Sequence, residues 1–417
     1  MANKVTLTGS ECPRIRPVEA FPAAVDQRKV VCLRDPEGIA LGVVTLTYPA
    51  FFIVGLLDGK KTVRDIQAAY FREFNQLIYT EAIQELLETL DKNLFLDSES
   101  FSGHRRRLEE QFIADPARKA VHAGTAYHSD PRRLREEMDG FFCRPDGFGL
   151  SNTLAGMENV RGLIAPHIDF HRGGPTYSWA YGALRPAGPH DLYIILGTSH
   201  APIPYPFCVC LKDFETPLGT APVDRFFGER LLKELPVNFC EGQWAHRHEH
   251  SIEFQAVFLK YLFPDQDAFS ILPILCGNVP NQGSTVEEKL QRLYLDEFLD
   301  ALKNQVGDTQ RRVCFIAGAD LAHMGPRFGD RSPVDAQLLS TLQAADSILL
   351  QKAEQADAEG FSQEVRETQD RYRICGYPPI YALLRASGTR EGKLLRYGQA
   401  VEPDGSQVVT FASMAFY

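Results

Sequence analysis

Three apolar runs of this sequence end in side chains that can bind a metal or move a proton. GLIA (162–165) leads into Pro166 and His167, LYIIL (192–196) into Gly197, Thr198, Ser199 and His200, and VCFIAG (313–318) into Asp320 and His323. A fourth stretch, WAHRHEHSIE (244–253), is polar and carries His250 beside Glu249. Imidazole suits first-row transition metals and titrates near neutral pH, so such histidines serve as ligands or as acid–base groups. One histidine after a strand is most often a hydrogen-bonded structural residue. Three strand ends that bring His or Asp to one edge favour a site, with Asp320 and His323 the candidates on the third. His250 is the acid–base candidate, because a helix starting near it puts His250, Glu253 and Phe254 on one side. The stretch lacks the HExxH pattern of zinc peptidases, and His246 and His248 read as surface residues.

The runs that carry these residues are short, continuous and β-branched, the pattern of strands buried on both faces. FSILPIL (269–275) is a fourth such run, and helical segments fall between the runs over 251–263 and 287–304. Strand–helix alternation predicts a largely parallel sheet covered by helices, with its site outside the carboxyl ends of the strands. Two further strands, 393–400 and 407–417, flank Pro403-Asp404-Gly405 and predict an antiparallel hairpin beside that sheet. After the first strand, Arg172 can pair with an anionic group of a substrate and Tyr177 can line the pocket, while Gly173 and Gly174 allow close backbone approach or simply a turn. Cys208, Cys210 and Cys314 sit in apolar runs as core thiols. Cys375 lies in a turn before a helix and can approach the site, with no base beside it in sequence to activate it as a nucleophile.

Ahead of this region, residues 19–98 read as a small α+β domain. KVVCLRD (29–35) and IALGVVTLT (39–47) predict a hairpin around Pro36-Glu37-Gly38. Thr62 and Asp65 have the spacing of a capping box, opening a helix with Val63, Ile66, Tyr70 and Phe74 on one face. A second helix from Thr80 aligns Ile83, Leu86, Leu87 and Leu90, and LFLD (94–97) predicts a closing strand. Residues 99–117 read as a linker helix, which divides the chain into 1–98 and 118–417. The net charge of −10 argues against a generic nucleic-acid binder, and the one basic run, Arg105 to Arg107, reads as a solvated helix face. Nine cysteines without a CxxC fit reduced thiols and a cytoplasmic setting. The first residues show no apolar leader, and no run reaches the length of a membrane span.

From about residue 118 the motifs stand in the order of a known family. IAPHIDFHRGGPTYSWAYGAL (164–184), ILGTSH (195–200), FETPLGTAPVD (214–224), EHSIEFQAVFLKYLFP (249–264), ILPILCG (271–277), GADLAHMGPRFGD (318–330) and RICGYPPIYALL (373–384) resemble the Memo family, AmmeMemoRadiSam system protein B. The resemblance implies an α/β/α sandwich similar to class III extradiol dioxygenases, which use non-haem Fe(II). In that pattern His167 and His200 are metal ligands and His250 holds the acid–base place. The family often carries a third ligand one residue before the last histidine. Here that residue is Ala322, which has no donor, so the third place falls to His323, Asp320 or water, or metal binding is lost. Asp169 and His171 also depart from the family loop. They read as a rebuilt ligand shell, as a carboxylate that fixes the His167 tautomer, or as loop hydrogen bonding.

In the first domain, LLDGKKTVRDI and LLETLDKNLFL resemble PqqD-like, winged-helix-like modules that bind precursor peptides. Together the resemblances imply a metal-dependent oxidoreductase acting on a small aromatic molecule or a modified peptide. The implied cofactor is Fe(II), with Cu or Zn as alternatives and no nucleotide cofactor. Radical SAM and AMMECR1-like companions are suggested by the family name. The rival reading, favoured by Ala322, is a non-catalytic protein that binds a peptide or a phosphorylated ligand.

Overall fold

The computed structural model describes residues 12–25, 28–40, 42–265, 267–280 and 285–417, so the opening segment through residue 11, read above as lacking an apolar leader, lies outside the described residues. The chain divides into two compact units, Met1–Ala114 and Asp115–Tyr417.

In the first unit, β1 (Glu19–Val25), β2 (Arg28–Arg34) and β3 (Val44–Leu46) form an antiparallel sheet in that order. Four helices follow: α1 (Tyr48–Val54), α2 (Val63–Phe74), α3 (Thr80–Lys92) and α4 (Glu99–Ala114). The Thr62–Asp65 capping box opens α2, and Asn75, left-handed at φ 52°, ends it. Ile83, Leu87 and Leu90 form the buried stripe of α3. Two stretches differ from the expected strands. The second arm of the hairpin starts only at Val44, because the Asp35 carboxylate accepts from the N–H groups of Glu37, Ile39 and Ala40 and holds that segment as a loop. LFLD gives a single bridge, Leu96 to Ile15, after Leu94 turns left-handed at φ 65°. Helix α4 is anchored within this unit by buried Phe101 and by Ser100, which donates to Asp91.

The second unit opens with β4 (Ala117–Arg118), α5 (Pro131–Cys143), β5 (Gly162–Ala165), α6 (Phe170–Leu184), β6 (Leu192–Thr198) and β7 (Phe207–Val209). Next come β8 (Asp213–Thr216), β9 (Gly219–Ala221), α7 (Arg225–Lys233), α8 (His250–Leu262), β10 (Ser270–Cys276), α9 (Val286–Asp308), β11 (Val313–Gly318) and β12 (Asp320–Met324). Helices α10 (Ala336–Glu354), α11 (Ala358–Glu367) and α12 (Tyr377–Ala386) precede the closing hairpin of β13 (Gly392–Val401) and β14 (Val408–Phe416).

The main sheet is mixed, in the order β12-β14-β5-β11-β6-β10-β7, with β13 also on β14. Its centre, β5-β11-β6-β10, is parallel, as the four apolar runs predict. Both flanks are antiparallel: β7 on β10 at one side, β14 on β5 at the other. Leu192, Ile194 and Leu196 of β6 join a core shared with α9, α10, α11 and α12. The alternate residues face the other way, where Tyr193 stacks on Phe263 just past α8. Helices thus cover both faces of the sheet, the α/β/α arrangement. Each apolar side chain fully buried there contributes about 2 kcal/mol. No helix among the described residues is long and apolar enough to cross a membrane.

Candidate metal centre

Strands β5 and β6 run parallel on either side of β11, so His167 and His200, just beyond their carboxyl ends, emerge at one rim. Helix α8 starts against the same rim, and two glycines make room for it. A Cβ at Gly197 would stand 2.5 Å from Ser251 Oγ, and one at Gly318 would stand 2.3 Å from Ser251 O. Without those atoms, the first turn of α8 settles onto β6 and β11, where Ser251 Oγ donates to Thr198 O at 2.9 Å. This seats His250, the first residue of α8, beside the two strand-end imidazoles.

Ligand atoms of His167, His200 and His250 all lie within 4.8 Å of one another. In each ring Nδ1 faces a protein acceptor. His167 Nδ1 donates to Gly318 O at 2.8 Å, and His200 Nδ1 donates to the Glu249 carboxylate at 3.0 Å. His250 Nδ1 lies 3.3 Å from Glu249 Oε1. In His167 and His200 these bonds assign the proton to Nδ1 and leave the lone pair on Nε2, the tautomer that a metal-binding histidine needs. Glu249 is the N-cap of α8 and also accepts from the N–H groups of Ser251 and His200. Burial opposes its charge, yet the His200 bond and the neighbouring imidazoles hold its carboxyl well below the usual carboxylate range. Burial pushes His167 and His250 down to about 3, so both rings are neutral at pH 7. Burial also opposes charge on His200, but the hydrogen bond and charge of Glu249, joined by the charge of Asp320, together outweigh it and move that ring up.

The other candidates fall around this trio. Asp320 Oδ1 accepts from His167 N–H at 2.9 Å, and its Oδ2 stands 3.6 Å from His167 Nε2. Burial pushes its carboxyl up to about 6. His323 lies outside the three-imidazole group. Its Nδ1 donates to Leu321 O at 3.0 Å and its ring meets Phe328 edge-on. Ala322 is buried, and its N–H donates to Thr410 Oγ1. Asp169 caps α6 and pairs with Arg172, which also reaches Glu402 at 3.4 Å, so the Arg172 charge is already matched by two carboxylates rather than left for a substrate. His171 is exposed, 3.8 Å from Asp169, which favours the loop hydrogen-bonding reading of that segment.

Two expectations need correction. Tyr177 does not line a pocket: it is fully buried, donates its hydroxyl to Ile168 O at 3.0 Å and stacks on Phe258. His246 is not a surface residue. Buried Arg118 draws its turn inward, donating to His246 O at 3.0 Å and to Glu249 O at 2.7 Å, and the His246 ring bonds Cys208 O. His248 is exposed, as the sequence suggests.

Two further groups bear on the site. Cys375 Sγ lies 3.2 Å from His167 Nε2 and 3.9 Å from His323 Nε2, so the base missing from its sequence neighbourhood comes from β5 and β12. Burial pushes that thiol well up. The second group is the Arg118–Glu253 ion pair, with Tyr127 donating its hydroxyl to the same carboxylate. Its fully buried arginine and glutamate tie the start of the unit to α8, and no local pattern marks the pairing. A cavity of about 850 Å³ opens beside the trio, with His200 and Cys375 in its wall.

A parallel strand core that presents clustered imidazoles at its carboxyl rim, under helices on both faces, defines an α/β protein with a candidate metal centre. Residues 118–415 match the family described as Memo-like protein, and the chain belongs to it. A MEMO1 family protein of Aquifex aeolicus is 29% identical over 393 residues, covering 92% of this chain and 95% of its own. That alignment is longer than the Asp115–Tyr417 unit, so it extends into the first unit. A MEMO1 family protein of Methanopyrus kandleri is 27% identical over 303 residues, covering 70% of this chain and 96% of its own. One of Thermus thermophilus is 25% identical over 337 residues, covering 81% and 93%.

Proposed function

We propose that the second unit is a metal-dependent oxidoreductase whose ion is held by Nε2 of His167, His200 and His250, with the Cys375 thiol as an adjacent fourth donor. The observation that carries this reading is the clustering of three imidazoles, one ligand nitrogen of each within 4.8 Å of the others, with Nδ1 of His167 and His200 hydrogen-bonded to protein acceptors and Nδ1 of His250 3.3 Å from Glu249 Oε1. The donor set fits a first-row transition metal. Imidazoles suit iron, copper and zinc, and a nearby thiol adds softness that magnesium or calcium sites lack. Fe(II) is the cofactor of choice, with copper and zinc as the alternatives. When bound, the ion supplies Lewis acidity and one-electron chemistry.

The chain's own groups do the rest. Glu249 fixes two of the rings through one carboxylate, so ligand geometry is set before the ion arrives. Asp320 holds the His167 backbone and keeps a carboxyl beside its ring that can take up or release a proton near pH 6. The His323 ring, 3.9 Å from Cys375 Sγ, is a second proton carrier. The substrate class is a small aromatic molecule or a modified peptide, and the first unit recruits a substrate or partner. The test is anaerobic loading with Fe(II), elemental analysis and an oxygen-uptake screen. Wild-type chain should retain about one ion, and His167→Ala and His200→Ala should each lose at least about a hundredfold in affinity. Unchanged metal content in those variants would refute the reading.

A further inference from the structure

Among the described residues, the cavity beside the imidazoles has one guanidinium whose charge is not already matched. Arg373, in its wall, is bound by Asp330 at 2.6 Å and donates to His323 O at 2.9 Å. Asp370, also in the wall, accepts from Ile374 N–H at 2.8 Å. Arg366, at the last turn of α11, lines the same cavity and is only half-buried, yet its side chain makes no hydrogen bond or ion pair among the described residues. Arginine side chains facing carboxylate-lined cavities are normally paired, as Arg373 is, because a partly desolvated guanidinium is stabilised by an oxygen fork.

A second observation concerns the segment after α11. Gln369, Asp370 and Arg373, all in the cavity wall, are left-handed at φ 53°, 47° and 55°. Left-handed backbone is unfavourable for Gln and Arg, though Asp adopts it more readily, and such conformations gather at ligand clamps. Here they fold the α11–α12 connection back so that Arg366 and Cys375 border one space.

We propose that this cavity binds a substrate bearing a carboxylate, and that Arg366 is the residue that holds it. The inference rests on the metal-site reading above only for the chemistry at the far end of the substrate, because the anchor itself needs no ion. A single carboxylate matches the one unmatched guanidinium. A dianion such as a phosphate monoester would meet Asp370 with no second free cation to balance it. The substrate then lies with its acid end at α11 and the remainder of its length toward His200 and Cys375, which share the cavity.

The experiment uses the full chain, with metal content measured, both as purified and after chelation. Benzoate and N-acetyl-alanyl-alanine are titrated by calorimetry, each beside its primary amide. The acids should bind, their amides should bind at least about tenfold more weakly, and Arg366→Gln should weaken the acids by a similar factor while leaving the amides unchanged. Arg366→Lys should recover part of the loss, since it restores the charge without the fork. Metal content of both variants should equal wild type. Equal binding of acid and amide, equal binding by Arg366→Gln, or no binding of either acid would overturn the proposal. A chain that binds no metal yet discriminates acid from amide through Arg366 would leave the anchor standing and remove the metal reading instead.

Discussion

In the first unit, the buried Arg16–Asp35 pair is used up by structure. Arg16 donates to both Asp35 oxygens and to Leu94 O, and lies 3.7 Å over the Phe101 ring. Asp35 accepts in addition from three backbone N–H groups of its own loop. Every strong donor and acceptor in that cluster points at the fold. The imidazole cluster of the second unit is built the other way. Gly318 O holds Nδ1 of His167, the Glu249 carboxylate at the α8 cap holds Nδ1 of His200 and lies 3.3 Å from Nδ1 of His250, and one ligand nitrogen of each ring lies within 4.8 Å of the others beside a cavity. Both clusters hold buried polar groups, Arg16 and Asp35 in one and His167 and Glu249 in the other, so burial of such a group does not by itself separate a structural from a functional role. Direction does: a site leaves lone pairs converging where no protein partner satisfies them all.

Breaking each cluster in turn should show the difference. The largest effect on stability is expected from Arg16→Met, which strands the buried Asp35 carboxylate. It should cost about 3–5 kcal/mol in urea denaturation, with metal content unchanged per folded chain. Glu249→Gln should do the reverse. It keeps the shape of the α8 cap but weakens the grip on His200 and His250, so metal affinity should fall about 10- to 100-fold in competition titrations.

The smallest effect is one of pH. Burial holds His190 and His246 down to about 4, and both belong to the second unit. The unfolded chain binds protons at these rings from about pH 6.5 downward, whereas the folded chain does not until near pH 4. Their stabilisation is therefore complete above about pH 6.5 and is lost as pH falls toward 4, by about 1–2 kcal/mol for each ring at pH 5. The first unit carries one histidine, His104, and it is not buried. Hydrogen exchange should lose protection across the second unit between pH 6.5 and 5 while the first unit changes less. Equal loss in both units would break the comparison.

The sequence made the strand core and its rim legible because a buried parallel strand needs an uninterrupted apolar run, and the residues just after each run must sit at the edge. That logic found His167, His200 and Asp320. It found His250 only as a helix-start candidate, since the seating of α8 depends on Gly197 and Gly318 across the sheet. Cys375 was legible only as a residue able to approach the site, because its partner His167 is 208 positions away and the contact is made by packing. Tyr177 misled for a related reason. Its position after the first strand suggests a pocket, but α6 turns that face onto Phe258. Arg172 misled because its charge is taken by Asp169 three residues earlier and by Glu402, and only the first of these is visible locally.

The most direct measurement is X-ray absorption at the iron edge of the anaerobically loaded full chain. We expect a first shell rich in nitrogen with the multiple scattering of imidazole, reduced in His200→Ala. An oxygen-only shell, unchanged in His200→Ala, would mean that the ion sits elsewhere and that the clustered imidazoles of His167, His200 and His250 do not form a metal centre.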